Sequence, residues 1–143
     1  MERIMMTLVA EELPTALEKK VEVVIADDSS AVRERLVSML SELKGVEVVG
    51  QAQNVEEAIA SIRALHPKAV ILDIRMPGGS GINVLQNIKR EQPAPVVIIL
   101  TNYPYLQYRK KCLEAGADFF FDKSTEFNKI PQVFKLLTRD FWT

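Results

Sequence analysis

Cysteine is almost missing from this chain. Cys112 stands alone, so no internal disulfide can form, and the usage fits a reducing compartment. Cys112 itself reads as a small packed residue on a helix. Histidine is equally scarce: His66 is single and sits at a helix end before Pro67, where a dipole or cap contact is expected rather than catalysis. No apolar run approaches the roughly 20 residues needed to cross a bilayer. The start, MERIMMTLVAEELPTALEKK, has no apolar core of signal-peptide length, because Glu11, Glu12 and Pro14 interrupt it. Nor is there an excess of one charge. A net charge of −1 over 143 residues gives no global field toward nucleic acid or an anionic membrane. Internal repeats and low-complexity segments are absent too. Together these absences predict a cytoplasmic protein with no direct nucleic-acid binding and no membrane partner.

What is present is one domain's worth of chain, 48% hydrophobic and 26% charged. Short runs rich in β-branched or aromatic residues recur: VEVVIA (21–26), VEVVGQA (46–52), VIL (70–72), VVIIL (96–100) and FFF (119–121). Bounded by turn signals, they read as strands. Between them lie helical patterns. Val32, Leu36, Leu40 and Leu43 repeat at helical spacing, with Ser29 or Ser30 as cap and Gly45 as stop. Asn54 and Glu57 form a capping-box signature ahead of Ala58, Ile59, Ile62 and Leu65, and Pro67 ends that helix. Ile82, Leu85 and Ile88 predict a third helix. Leu106, Cys112 and Leu113 predict a fourth, closed by Gly116, and Ile130, Phe134 and Leu137 a fifth. Pro131 requires that fifth helix to begin near Asn128 to Ile130. The alternation predicts an α/β fold: (βα) five times, a doubly wound parallel five-stranded sheet covered on both faces. Residues 1–20 fall outside the pattern and are expected to be an N-terminal extension to a domain over 21–143.

Four of the five strands hand over to polar chemistry just after their apolar run. Asp27 and Asp28 follow the first strand, Asp73 the third, Thr101 the fourth and Lys123 the fifth. Parallel strands end at one edge of the sheet, where open α/β sheets bind ligands. With strand order 2-1-3-4-5, Asp27, Asp28 and Asp73 crowd one pocket. Alone, Asp27 and Asp28 would read as turn residues and Lys123 as a surface lysine; in company they read as a site. Three close carboxylates call for a cation, and an all-oxygen set suits Mg2+. A carboxylate, a metal, an ammonium and a hydroxyl make a phosphoryl-transfer set, with Asp73 as an exposed nucleophile.

ADD at 26–28, D-I-R-M-P-x-x-x-G from Asp73 to Gly81, Thr101, and F-F-D-K at 120–123 resemble the receiver domain of two-component response regulators, a flavodoxin-like fold, over about residues 20–140. The resemblance implies that Asp73 is the phosphoacceptor. It implies Asp28 as direct metal ligand, Asp27 positioning it or a bound water, and the Arg75 backbone carbonyl as third ligand beside Asp73. It implies Thr101 and Lys123 as the phosphate-sensing pair, and Thr101 with Phe120 as the switch. Three positions depart from the family pattern. Phe120 stands where many members have tyrosine. Ser124 follows the lysine where many have proline, so a trans peptide is expected. Asn102 is bulkier than the usual alanine and is expected to slow access to the pocket.

The resemblance implies a stand-alone receiver that accepts a phosphoryl group from a histidine kinase or phosphotransfer protein. It would signal to a downstream partner through its helix 4–strand 5–helix 5 face. Catalysis would extend no further than its own Mg2+-dependent phosphorylation and dephosphorylation. A fragment of a longer regulator is the alternative, since no output domain follows before Thr143. An aspartate-nucleophile phosphatase of the haloacid dehalogenase type is a weaker one, because Arg75 occupies the place of its second acid. Arg109, Lys110 and Lys111 on the fourth helix read as a solvated face.

Overall fold

A computed structural model describes residues 20–142. The expected extension over 1–20 therefore lies outside the described residues, apart from Lys20. Five strands and five helices alternate: β1 (Val21–Ala26), α1 (Ser30–Ser41), β2 (Val46–Ala52), α2 (Val55–Leu65), β3 (Ala69–Leu72), α3 (Gly81–Ile88), β4 (Val96–Thr101), α4 (Leu106–Glu114), β5 (Phe119–Asp122) and α5 (Ile130–Trp142). A two-residue antiparallel ladder, Arg75–Met76 with Gly79–Ser80, folds the loop between β3 and α3. The strands form one parallel sheet in the order β2-β1-β3-β4-β5, as expected.

Strand alternation builds two cores from one sheet. Val24, Ala26, Val70, Leu72, Val97 and Ile99 point to one face, under α2, α3 and α4. Val21, Val23, Ile25, Ala69, Ile71, Ile98 and Leu100 point to the other, where Leu36 and Leu40 of α1 meet Ile130, Val133 and Phe134 of α5. The irregular alternation in β2 has a structural counterpart. Register slips at Val49, so that Val23 pairs with Val48 and Val24 with Gly50.

Helix starts follow the sequence signals. Ser29 caps α1, accepting from the Val32 N–H at 3.2 Å. Asn54 caps α2 and accepts from the Glu57 N–H at 2.8 Å, while Glu57 reaches back to the Gln53 N–H rather than to that of Asn54. His66 closes α2 in a left-handed conformation, φ 47°, its N–H bonding to the Ile62 carbonyl. Pro131 occupies the first turn of α5, where its missing N–H costs nothing.

Two expectations need correction. Helix α1 ends at Ser41, so Leu43 and Gly45 lie beyond it; Gly45 instead takes φ 86° and its carbonyl starts β1 by accepting from Val21 N–H at 2.7 Å. In α4 the apolar stripe does not enter the core: Cys112 is buried, but Leu106 is 78% and Leu113 42% exposed. The sheet stops at β5, so α4 packs mainly on α3 and the edge strand and has little to bury against.

Candidate functional site

Register sets the site. Ala26 of β1 pairs with Leu72 of β3, so Asp27 and Asp73 emerge side by side at the carboxyl edge. Their backbones are tied down: Asp27 N–H bonds to the Ala52 carbonyl at 2.9 Å and Asp73 N–H to the Ala26 carbonyl at 3.0 Å. Thr101 pairs with Asp122, which places Lys123 one residue beyond β5, its N–H on the Thr101 carbonyl at 2.8 Å. The carboxylates of Asp27, Asp28 and Asp73 offer oxygens that all lie within 4.8 Å of one another.

Lys123 bridges two of them. Its Nζ is 2.6 Å from Asp27 Oδ2 and 3.0 Å from Asp73 Oδ2. All three side chains are nearly dry, so the expectation of an exposed Asp73 is corrected: the residue is only 5% exposed. The cause is its place directly after the fully buried run Ala69–Leu72. Burial raises the Asp73 carboxyl above its usual pKa; the charge and hydrogen bond of Lys123 oppose this, while Asp27 adds to it. Burial alone would lower the Lys123 ammonium, but its hydrogen bond to Asp27 and the negative field of Asp73 and Asp27 outweigh that and hold it above the ordinary lysine value.

One atom is left over. Asp73 Oδ1 is buried and has no hydrogen-bond partner. Such an orphan is costly in an apolar surround. Beside it stands Asp28, the one exposed acid of the cluster, open to solvent. A buried carboxylate with an unpartnered oxygen, in an all-oxygen acidic set, is what a hard divalent cation satisfies, so the residues present fit Mg2+.

The structure gives a physical reason for Gly81, which the D-I-R-M-P-x-x-x-G pattern already marks, and adds Arg33, which carries no clear signal in the sequence. Gly81 opens α3 against the Asp73 carbonyl oxygen: a Cβ there would sit inside the contact distance of that oxygen and close to the Ile74 backbone. Its N–H bonds to the Ile74 carbonyl at 2.6 Å. This explains physically why a glycine stands eight residues after the acid. Arg33 of α1 donates to the Asp27 carbonyl at 2.6 Å and to Gln51 Oε1 at 3.2 Å, bracing the first acid from behind. Ser29 N–H donates to Asp27 Oδ1 at 2.9 Å. The Ser29 bond is a local Asx turn, but the Arg33 contacts do not follow from spacing, because Arg33 sits among ordinary helix-surface charges.

The remaining expected residues fall around the pocket. Thr101 is fully buried, and its Oγ1 accepts from the Tyr103 N–H at 3.0 Å. Phe120 is the most buried of the three phenylalanines in β5 and packs in the α2–α4 core. Phe119 and Phe121 are half-buried on the other face, pack against its core and stack with each other at 5.9 Å. The single cis peptide among the described residues is Gln92–Pro93, so Lys123–Ser124 is trans as expected.

A family model described as the response regulator receiver domain matches residues 23–135. The chain belongs to that family. A protein-glutamate methylesterase/protein-glutamine glutaminase of Alkalilimnicola ehrlichii is 38% identical over 105 residues, covering 73% of this chain and 27% of that protein. Response regulator GacA of Pseudomonas protegens is 31% identical over 117 residues, covering 82% of this chain and 55% of that protein. The chain thus spans about a quarter to a half of the length of these relatives. Among solved structures, the isolated REC domain of RcsB from Salmonella enterica serovar Typhimurium, in the presence of phosphomimetic BeF3-, superposes with TM-score 0.77 at 26% identity, covering 84% of this chain and 89% of that one.

Proposed function

We propose that this domain accepts a phosphoryl group on Asp73 from a histidine kinase or phosphotransfer protein. The observation that carries the reading is the state of Asp73: a dry carboxylate with one oxygen on Lys123 and the other without a partner. An Asp73 carboxylate oxygen attacks the phosphorus of the donor, the donor's bond to phosphorus breaks with its electron pair leaving on the donor atom, and an acyl phosphate results. Water later cleaves it and restores the carboxylate. Lys123 is held charged and is placed to exchange its Asp27 or Asp73 contact for a phosphoryl oxygen. Asp28 and Asp73, with the Arg75 carbonyl, would hold Mg2+, and Asp27 would orient Asp28 or a bound water. The ion would supply positive charge to the phosphoryl oxygens.

Thr101 and Phe120 serve as the switch in this reading. The Thr101 hydroxyl lies at the pocket end of β4, and the Phe120 ring already packs inward. The signal would leave through α4, β5 and α5 to a protein partner. Among the described residues no helix is long and apolar enough to cross a membrane, which is compatible with a cytoplasmic site of action. The domain acts either as a stand-alone regulator or as the receiver of a longer one, and the intact mass of the native protein distinguishes the two.

The test is intact-mass measurement after incubation with a small phosphodonor and Mg2+. One added phosphoryl group is expected, absent in Asp73→Asn. Modification that survives in Asp73→Asn removes Asp73 as acceptor. Steady turnover of an unrelated phosphoester would favour the phosphatase reading.

A further inference from the structure

The reading above uses the Arg75 carbonyl and leaves its side chain without a task. That side chain lies over the ring of Tyr103, guanidinium carbon 4.1 Å from the ring centre. Arg75 stands two residues after the acceptor, and Tyr103 two residues after the sensing hydroxyl. The stack therefore ties the loop that carries Asp73 to the loop that follows Thr101 at the end of β4. The contacts continue outward. The Tyr103 and Tyr105 rings are 6.4 Å apart and those of Tyr105 and Tyr108 5.8 Å, both tilted. Tyr108 also lies beside the Arg75 guanidinium and packs on the core beneath α4.

The helix at the end of this line is weakly held. Helix α4 buries only Cys112, and its N-cap residue Tyr105 makes no side-chain cap bond. Tyr105 is 54% and Leu106 78% exposed, so its first turn is surface that a partner can touch. Helices with few buried contacts open at low free energy and respond to small forces. A planar guanidinium on an aromatic face is directional, easily remade, and sensitive to where the arginine backbone sits.

We propose that Arg75 and Tyr103 are a positioning pair: a strap that makes the first turn of α4 follow the backbone of the acceptor loop, by a route separate from Thr101 and Phe120. The proposal rests on Asp73 as phosphoacceptor. When the loop at 73–75 is rearranged by a group on Asp73, the strap carries the change to Tyr103, and the tyrosine contacts carry it to Tyr105 and Leu106.

The test is NMR of the whole chain in Mg2+, with and without beryllofluoride, comparing the parent with Arg75→Ala, Tyr103→Ala, their double variant and Tyr103→Phe. In Tyr103→Ala the beryllofluoride shifts around Asp73 and Lys123 are expected to persist while those of residues 105–109 fall by about half or more. Arg75→Ala should lose the α4 shifts to the same degree, the double variant should lose no more than either single one, and Tyr103→Phe, which keeps the ring, should restore them. Full α4 shifts in Tyr103→Ala, or losses that add in the double variant, overturn the strap. If the parent shows no response to beryllofluoride at Asp73, the phosphoacceptor reading fails and takes the signalling role of the strap with it. Hydrogen exchange in the free protein then judges the contact alone: equal acceleration at Tyr108 and Arg109 in both alanine variants sustains it, and unchanged exchange overturns it.

Discussion

The two edges of this sheet hold similar residues and do different things with them. At the carboxyl edge, Asp27, Asp73 and Lys123 converge and are nearly dry. At the amino edge, Lys20, Glu22, His66, Lys68 and Glu91 line an open cleft beside Pro67, Pro93 and Pro95. There His66 and Lys68 stay exposed, and the ion pair Arg63–Glu91, at 3.4 Å, is half in water. Charge count does not separate the edges; burial and convergence do. At one edge each charge is held by the next and a change in one is felt by all. At the other each charge is solvated on its own terms.

The strongest way to break the comparison is Lys123→Ala. It would leave Asp27 and Asp73 buried with no cation, and removal of one member of a buried ionic set costs about 3 kcal/mol or more. Denaturation in Mg2+-free buffer should show that loss, and added Mg2+ should recover part of it. The ammonium is held above its usual value of 10.5 by Asp27 and Asp73 against the pull of burial. The stabilisation it gives is therefore fully present below pH 10.5 and is lost as pH rises through the raised value. A penalty for Lys123→Ala that faded already at neutral pH would contradict the burial of the set.

Gly81→Ala comes next. The added methyl group meets backbone, the Asp73 carbonyl, rather than a flexible side chain. Overpacking of this kind costs about 1–3 kcal/mol. Gly116→Ala is the internal control: there the strain comes from φ 104°, and the near neighbour, Lys89 Cγ at 3.2 Å, can move. Gly81→Ala should also slow phosphodonor reaction by shifting the acceptor backbone, and Gly116→Ala should not. Equal effects on that rate would sink the special place given to Gly81.

Asp73→Asn is expected to act in the opposite direction. Burial, aided by Asp27 and opposed by Lys123, raises the Asp73 carboxyl from its usual 3.8. An acid whose folded pKa is raised stabilises the fold while protonated, and that contribution is lost as pH rises through the raised value. At neutral pH the ionised carboxylate therefore works against folding, and Asp73→Asn should raise the melting temperature in Mg2+-free buffer. Mg2+ should narrow the gap by favouring the parent alone. A lower melting temperature for Asp73→Asn without Mg2+ would mean that Lys123 compensates the buried charge in full.

The fold was legible because the strands are short, largely apolar runs with turn residues at their ends, continuous in β3 and nearly so in β4, and parallel strands buried on both faces leave that mark. The convergence of Asp27, Asp28, Asp73 and Lys123 was legible because each stands one or two residues beyond the end of such a run. What escaped depends on tertiary placement. Leu106 and Leu113 have the residue type and spacing of a buried stripe, but nothing local says that the sheet ends at β5 and leaves α4 half unsupported. Asp73 was expected to be exposed as the nucleophile of the pocket; it is buried because it directly follows the fully buried run Ala69–Leu72 at the point where Lys123 and Asp27 converge. Arg33 reaches the Asp27 carbonyl across a turn of helix and shows in no periodicity; Gly81 was marked by its motif, but the backbone atom it meets belongs to another segment, so the reason for it shows only in the fold.

The smallest expected effect lies at the amino edge and sharpens the comparison by its smallness. Glu91 pairs with Arg63 at 3.4 Å, with side chains 36% and 56% exposed. An ion pair this wet gains little, because water already solvates both groups and salt screens what remains. Glu91→Ala should change stability by less than about 0.5 kcal/mol, and the change should shrink further in high salt. The same salt should barely alter the penalty of Lys123→Ala, since ions do not enter a dry set. Measuring both variants at low and high ionic strength therefore tests the contrast directly. A Glu91→Ala loss as large and as salt-insensitive as that of Lys123→Ala would show that the amino-edge charges are coupled too, and that burial is not what distinguishes the site.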